Sequence, residues 1–196
     1  FKNLRRERIY GCLFHNGDDL IKNEFLWGKI LQIQKSGRIK KIGYSIYEPR
    51  TLLSLLKAGM IPDIVQVPYS ILDRKFENYF SLLKKKNIEI HVRSIFLQGL
   101  YFLKTEQIDS RYEDLKKPLE LIQILAQENN FSILELALCF VLQNNHIDYV
   151  VSGVENEHQL KQIINASTRK LPLKITRKIK AFKLKNQKIL NPSNWK

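Results

Sequence analysis

Five short apolar runs, separated by longer amphipathic stretches, constrain this chain more than any other feature. The runs are Ile9 to His15, Ile39 to Ser45, Ile64 to Val67, Ile88 to Arg93 and Ile147 to Val151. A nearly continuous apolar run closed by turn residues, as Asn16-Gly17-Asp18-Asp19 closes the first, reads as a strand buried on both faces. The stretches between predict helices over Leu20 to Lys35, Pro49 to Lys57, Leu72 to Lys86, Tyr112 to Asn129, Ser132 to Gln143, Glu155 to Ala166 and Leu173 to Leu190. Pro49 suits a first helical position, where its missing N–H costs nothing. Gly37 suits the left-handed cap that ends a helix, and Ser132 with Glu135 spells a capping box. Phe1 to Arg8 reads as the last turns of a helix, 94 to 111 as a loop, and Pro192 to Lys196 as a loose tail.

Strands alternating with helices require parallel pairing through right-handed crossovers. Open doubly wound sheets and closed barrels both satisfy that pattern. The absence of a GxGxxG turn after the first strand argues against a dinucleotide-binding Rossmann half. A complete (β/α)8 barrel takes roughly 250 residues, and this chain has 196. The expected fold class is therefore α/β of the (β/α)8 TIM-barrel type, an incomplete barrel of about five parallel strands with surrounding helices. Residues 1–196 are expected to form one domain. The chain opens on Phe1 rather than Met, and reads like part of a longer product.

Composition narrows the class. With 44% hydrophobic and 27% charged residues, the chain can bury an ordinary globular core. No apolar run approaches the ~20 residues that span a bilayer, and no signal peptide precedes the first strand. A cytoplasmic setting with no membrane partner is expected. Cys12 and Cys139 sit in apolar segments without a CxxC neighbour, which reads as two buried, reduced thiols. The net charge of +14 and pI near 9.8 raise the question of anionic partners. The lysines scatter along helix faces, so a solvated basic surface is expected, and no specific nucleic acid.

In a parallel barrel the C-terminal ends of the strands face one site. Here those ends carry His15, Ser45, Gln66, Arg93-Ser94 and Ser152-Gly153. The set lacks a carboxylate pair for glycoside hydrolysis, a His/Asp/Glu cluster for a metal and a serine nucleophile elbow. Amide, hydroxyl and guanidinium groups suit a planar heteroaromatic that carries a carboxamide, since a guanidinium stacks on rings. The helix start beyond Gly153 offers free N–H groups to a phosphate.

Several stretches together resemble the aldo-keto reductases, in register and over nearly the whole chain. Leu13-Phe14-His15-Asn16 looks like the family's strand motif ending in its catalytic His. Ser36 to Ser45, SGRIKKIGYS, is similar to the family's G-K-I-R-x-I-G-V-S stretch. Gln66-Val67-Pro68-Tyr69-Ser70 with Leu72-Asp73-Arg74 resembles N-Q-x-x-Y-S-x-L-D-R, Ser94 to Gly99 resembles S-P-L-x-Q-G, and Gly153 to Leu160 resembles the last strand–helix turn. The resemblance implies that His15 is catalytic and polarises a substrate carbonyl. It implies that Ser45 and Gln66 hold a nicotinamide carboxamide, and that Arg93 stands where many members stack an aromatic ring. Ser94, Phe96 and Gln98 would follow the pyrophosphate. Gly153, Glu155, Gln159 and Gln162 would take the adenosine phosphate.

The implied cofactor is NADP(H) or NAD(H), the implied partner a small-molecule carbonyl substrate, and no metal is implied. The expected function is an NAD(P)H-dependent oxidoreductase reducing an aldehyde or ketone by hydride transfer, as part of a longer protein. The alternative is a catalytically inactive cofactor-binding or remnant relative. Three departures stand out. Ile46 replaces an Asn, Glu155 lies near the 2′-phosphate position with no Arg in that turn, and the family's Asp, Tyr and Lys, carried on its first three βα units, match no residue here. The sequence gives no oligomeric state.

Overall fold

A computed structural model of the chain describes residues 3–182, 184 and 186–191. Its five strands are β1 (Ile9–Phe14), β2 (Ile39–Ser45), β3 (Ile64–Pro68), β4 (Glu89–Arg93) and β5 (Tyr149–Val150). They form one sheet in the order β1-β2-β3-β4-β5. The pairing is parallel, with Ile9 opposite Ile39, Phe14 opposite Tyr44, Gly43 opposite Ile64 and Ser45 opposite Gln66. The helices are α1 (Asp18–Lys22), α2 (Phe25–Lys35), α3 (Pro49–Lys57), α4 (Glu77–Lys85), α5 (Glu113–Glu128), α6 (Ile133–Leu142), α7 (Glu157–Ser167) and α8 (Leu173–Ala181).

By their contacts the residues divide into two compact units. The first comprises Phe1–Pro68, Lys75–Val92 and His146–Tyr149, and the second Tyr69–Arg74, Arg93–Asn145 and Val150–Lys196. In the first unit, Ile42, Tyr44, Val65, Ile90 and Val92 of the strands are buried along with Trp27, Leu52, Leu55, Phe80 and Leu83 of the helices. In the second, Leu115, Leu119, Leu136, Phe140, Ile175 and Ile179 are buried, as are Tyr69, which stacks on Phe140 at 5.7 Å, and Tyr101. Each such aliphatic side chain contributes about 2 kcal/mol of burial.

Several sequence expectations are corrected. Residues 3–8 form a turn and a bend, not the end of a helix, and Arg5 takes φ +50; three arginines without an apolar stripe give a helix nothing to bury. The helix expected over Leu20 to Lys35 is two helices, α1 and α2. Asn23 interrupts them at φ −138, its side-chain amide donating to Asp19 O at 3.1 Å. The helix expected from Leu72 begins only at Glu77, because a buried turn occupies Ser70 to Asp73. There the Ser70 N–H donates to Asp73 O (2.9 Å) and the Asp73 N–H to Ser70 Oγ (3.1 Å). The last helix stops at Ala181, with a separate 3-10 turn at Gln187–Leu190. The expected Pro192 to Lys196 tail lies outside the described residues. β1 is half-buried rather than buried on both faces, with Tyr10 exposed, because it is an edge strand. Cys12 is accordingly half-buried while Cys139 is buried, and both are free thiols. The capping box forms as spelled: the Glu135 N–H donates to Ser132 Oγ (3.2 Å) and the Ser132 N–H to Glu135 Oε2 (2.7 Å).

A polar cluster joins the first unit's strands near their N-terminal ends. Glu89 accepts from Tyr10 Oη (2.6 Å), pairs with Lys41 Nζ (2.7 Å) and faces His91 Nε2 (3.4 Å). Burial pushes the Glu89 carboxyl up, but its bonds from Lys41 and Tyr10 outweigh this and hold it below the ordinary value. A depressed folded-state pKa contributes stability that is present above the unfolded value, about 4.3, and is lost as pH falls through the folded one. Glu89→Gln should therefore cost about 1 kcal/mol at pH 7, with the gap from wild type closing below pH 4. Urea unfolding across pH 3 to 7 measures both.

Among the described residues no single helix is long and apolar enough to cross a membrane; α5 with its leading turn and α6 pass such a test only as a pair bent by 94°.

Candidate functional site

His15, Ser45 and Gln66 follow from the register of the first unit's strands. Phe14 lies opposite Tyr44 and Ser45 opposite Gln66, so His15, one residue beyond Phe14, stands beside Ser45 at the C-terminal ends of β1 and β2. The backbone ties the three strand ends together. The Gly17 N–H donates to Ser45 O at 2.9 Å and the Ile46 N–H to Gln66 O at 3.0 Å. Ser45 Oγ donates to Gln66 Oε1 at 3.4 Å. Ser45 is buried, Gln66 half-buried and His15 exposed. At 3.4 Å the hydroxyl–amide bond is long, and both groups are of the type that bonds a ligand amide.

In the second unit, Arg93, Ser94, Phe96, Gln98, Gly153, Glu155, Gln159 and Gln162 all line one cleft of about 790 Å³, within the size range of small-molecule sites. One wall is the segment after β4. Ser94, Leu97 and Gln98 take φ of +60, +49 and +55, and Gly99 +86. Left-handed backbone at a non-glycine residue costs of order 1 kcal/mol and concentrates at ligand sites. Here it turns the chain sharply, so that Ser94, Phe96 and Gln98 share one cleft within five residues. Arg93 Nη1 donates to Ser94 Oγ at 3.3 Å.

The other wall is the start of α7. Asn156 caps it, accepting from the Gln159 N–H at 2.9 Å, and Gln159 Oε1 accepts from the Glu155 N–H at 2.8 Å. Gln159 therefore spends its oxygen on the loop and keeps its amide N–H groups as donors. The first helical amides, those of Glu157 and His158, have no intrahelical acceptor. They give this end of the cleft a positive pole.

The sequence reading missed much of the apolar part of the lining, chiefly Phe102 and Leu134. Phe96 and Phe102 meet with ring centroids 5.4 Å apart. A half-exposed Phe102, six residues from another Phe in a loop, was the available signal. Among the described residues no cluster of His, Cys, Asp and Glu could hold a metal ion.

Comparison with known proteins identifies the family and fold. The model of the Aldo/keto reductase family matches residues 1–183. An NADH-specific methylglyoxal reductase from Escherichia coli is 25% identical over 150 residues, spanning 69% of this chain and 46% of that protein. The holo form of an aldo-keto reductase from Bacillus halodurans superposes with a TM-score of 0.73 at 23% identity, over 91% of this chain and 60% of that one. A glycerol dehydrogenase from Gluconobacter oxydans gives 0.71 at 16% identity, over 91% and 59%. The chain thus spans about half the length of the curated relative and three-fifths of these structures. Its five-stranded parallel sheet and surrounding helices are part of their (β/α)8-barrel fold. With a matching family model over most of its length, the chain belongs to the aldo/keto reductase family.

Proposed function

We propose that the protein takes part in NAD(P)H-dependent reduction of an aldehyde or ketone, and that this chain supplies the cofactor-holding residues and the carbonyl-orienting histidine. The observation that carries the reading is the single cleft lined by Arg93, Ser94, Phe96, Gln98, Gly153, Glu155, Gln159 and Gln162. The residues fit a dinucleotide. Hydroxyl, amide and guanidinium donors follow the left-handed segment, and capped helical amides stand opposite at α7. When bound, the dihydronicotinamide supplies the hydride. Ser45 and Gln66 bind and orient a carboxamide. His15, exposed at the end of β1, donates a hydrogen bond to the carbonyl oxygen and polarises it. The two free thiols suit a reducing, cytoplasmic setting.

NADH is the favoured form of the cofactor. Glu155 places a carboxylate in the cleft, and among the described residues Arg93 is the one cation lining it. The ammonium of Lys161 is occupied 2.7 Å from Glu157. A 2′-phosphate would meet acidic side chains here, a like-charge contact that discriminates against it. The relative named for NADH specificity supports the same reading.

Titration followed by the fluorescence of the reduced cofactor tests both statements. NADH should bind at least tenfold tighter than NADPH. Glu155→Arg should reverse the order, each tenfold being about 1.4 kcal/mol. Failure of a folded chain to bind either dinucleotide would remove the cofactor reading. Equal binding of both would remove only the preference.

A further inference from the structure

The first unit carries a second feature, remote in kind from any dinucleotide chemistry. Two basic runs far apart in sequence, Arg5-Arg6-Glu7-Arg8 and Lys35-Ser36-Gly37-Arg38-Ile39-Lys40-Lys41, are brought side by side by the β1–β2 register. Ile9 lies opposite Ile39, and the Ile9 N–H donates to Arg38 O at 3.0 Å. The pairing sets Arg8 beside Arg38 and Tyr10 beside Lys40. Seven cations then face one carboxylate, that of Glu7, within these two runs. Arg5, Arg6, Arg8, Lys35, Arg38 and Lys40 are all exposed.

The patch is concave. A cavity of about 590 Å³ opens between the runs, lined by Arg8, Tyr10, Gln34 and Lys40 together with Gly37 and the edge of Ile39. Tyr10 is 45% exposed. Its hydroxyl is held by Glu89 at 2.6 Å, and the ammoniums of Lys40 and Lys41 lie 5.5 and 5.4 Å from its ring centroid. An anchored aromatic ring flanked by cations in a cleft is the arrangement that takes a stacked base together with its phosphates. A membrane surface fits less well. Residues 3–8 form a turn and bend, so no amphipathic helix lies here to enter the headgroup layer, and a planar bilayer does not fill a cleft.

We propose that this cleft at the N-terminal ends of β1 and β2 binds single-stranded nucleic acid without sequence preference. Arg8 and Lys40 hold phosphates there, Arg38 holds one at its edge beside Arg8, and Tyr10 stacks a base. This agrees with the absence of a base-reading motif in the sequence, since the attraction is to the backbone.

The test is a fluorescence-anisotropy titration of the whole chain with a labelled twelve-residue oligothymidylate. Three phosphate contacts give a log–log salt slope of about −2, so affinity should fall about 20-fold between 50 and 200 mM salt. The double variant Arg8→Glu with Lys40→Glu should weaken binding at least tenfold at 50 mM salt. Lys174→Glu with Lys178→Glu, on the basic helix α8, changes the net charge equally and should weaken it less than threefold. Tyr10→Ala should lose about fivefold, the low end for one stacked base, and leave the salt slope unchanged. Circular dichroism confirms that each variant folds. Equal losses from the two double variants would overturn the proposal in favour of diffuse charge. Binding to phosphatidylserine vesicles with none to the oligonucleotide would overturn it in favour of a lipid surface.

Discussion

Gly43→Ala is expected to cost at least about 3 kcal/mol and to lower cofactor affinity with it. A Cβ at position 43 would stand 1.7 Å from Ile64 O, 2.8 Å from Ile64 C and 3.3 Å from Ile64 Cα. These are main-chain atoms of the neighbouring strand, so no side-chain rotation relieves the overlap. The ladder holding them includes Gly43 opposite Ile64, Tyr44 opposite Val65 and Ser45 opposite Gln66. It is flanked by the Asp63 N–H to Ile42 O bond of 2.8 Å and the Ile46 N–H to Gln66 O bond of 3.0 Å. To admit a methyl group, β2 and β3 must part where Tyr44 and Val65 are fully buried. The same parting separates Ser45 from Gln66. A domain of this size has only about 5–15 kcal/mol in total, so the urea midpoint should move far toward zero. Gly28→Ala is the counter-case. Gly28 is exposed within α2, with no atom within 4 Å of an added Cβ, and the substitution should stabilise by about 0.5–1 kcal/mol. A Gly43→Ala variant within 0.5 kcal/mol of wild type would show that this close approach is not a feature of the folded chain.

Gly43 also marks what the residues reveal on their own. All five strands were legible because each is a short apolar run closed by turn residues. β2 was read to the residue, as its ends are marked by Gly37 before and Pro49 after. β5 was overread, since Ile147 and Asp148 look like strand but only Tyr149 and Val150 pair. The close approach at Gly43 was not legible, because it depends on which strand lies beside β2. Helix ends erred where a side chain took over a backbone partner. Asn23 does so between α1 and α2, and Ser70 with Asp73 before α4. Such local competition with the helix is open to Asn, Asp and Ser wherever they stand, and only tertiary packing decides when it wins.

The site was legible to a different degree. Strand-end position singled out His15, Ser45 and Gln66, and those three are tied by backbone bonds at adjacent strand ends. The eight cleft residues came chiefly from motif resemblance. No periodicity forecasts four left-handed residues between Ser94 and Gly99, and it is that backbone which brings Arg93, Ser94, Phe96 and Gln98 to one wall. The basic cleft beside Tyr10 was invisible for a third reason. Its two runs are about thirty residues apart, and each alone resembles an ordinary solvated surface. Only the β1–β2 register adds them together.

The LDR stretch at Leu72-Asp73-Arg74 was recognised as a motif yet predicted to be helical, and its structure gives the second large effect. Arg74→Ala should destabilise the second unit by about 3 kcal/mol and free α8 preferentially. Arg74 Nη1 donates to Ile71 O and, at 3.1 Å, to Ile179 O. Nη2 donates to Lys180 O at 3.2 Å and Phe182 O at 2.6 Å. Ile179, Lys180 and Phe182 lie at the C-terminal end of α8, whose last carbonyls have no intrahelical donor and carry the negative pole of the helix. One guanidinium satisfies three of them and fastens them to the turn at Ile71, which Tyr101 supports by accepting from the Leu72 N–H at 3.2 Å. Charged hydrogen bonds contribute about 1.5–3 kcal/mol each before non-additivity, so 3 kcal/mol is a moderate total for four. Arg74→Lys keeps the charge but not the planar fork and should recover less than half of the loss. Hydrogen exchange separates local from global effects. In Arg74→Ala the amides of Ile175 to Ala181 should exchange at least tenfold faster than in wild type, while those of α6, capped independently by Ser132 and Glu135, change less. A uniform acceleration across both helices would mean that Arg74 stabilises the unit as a whole and is not a clasp on α8.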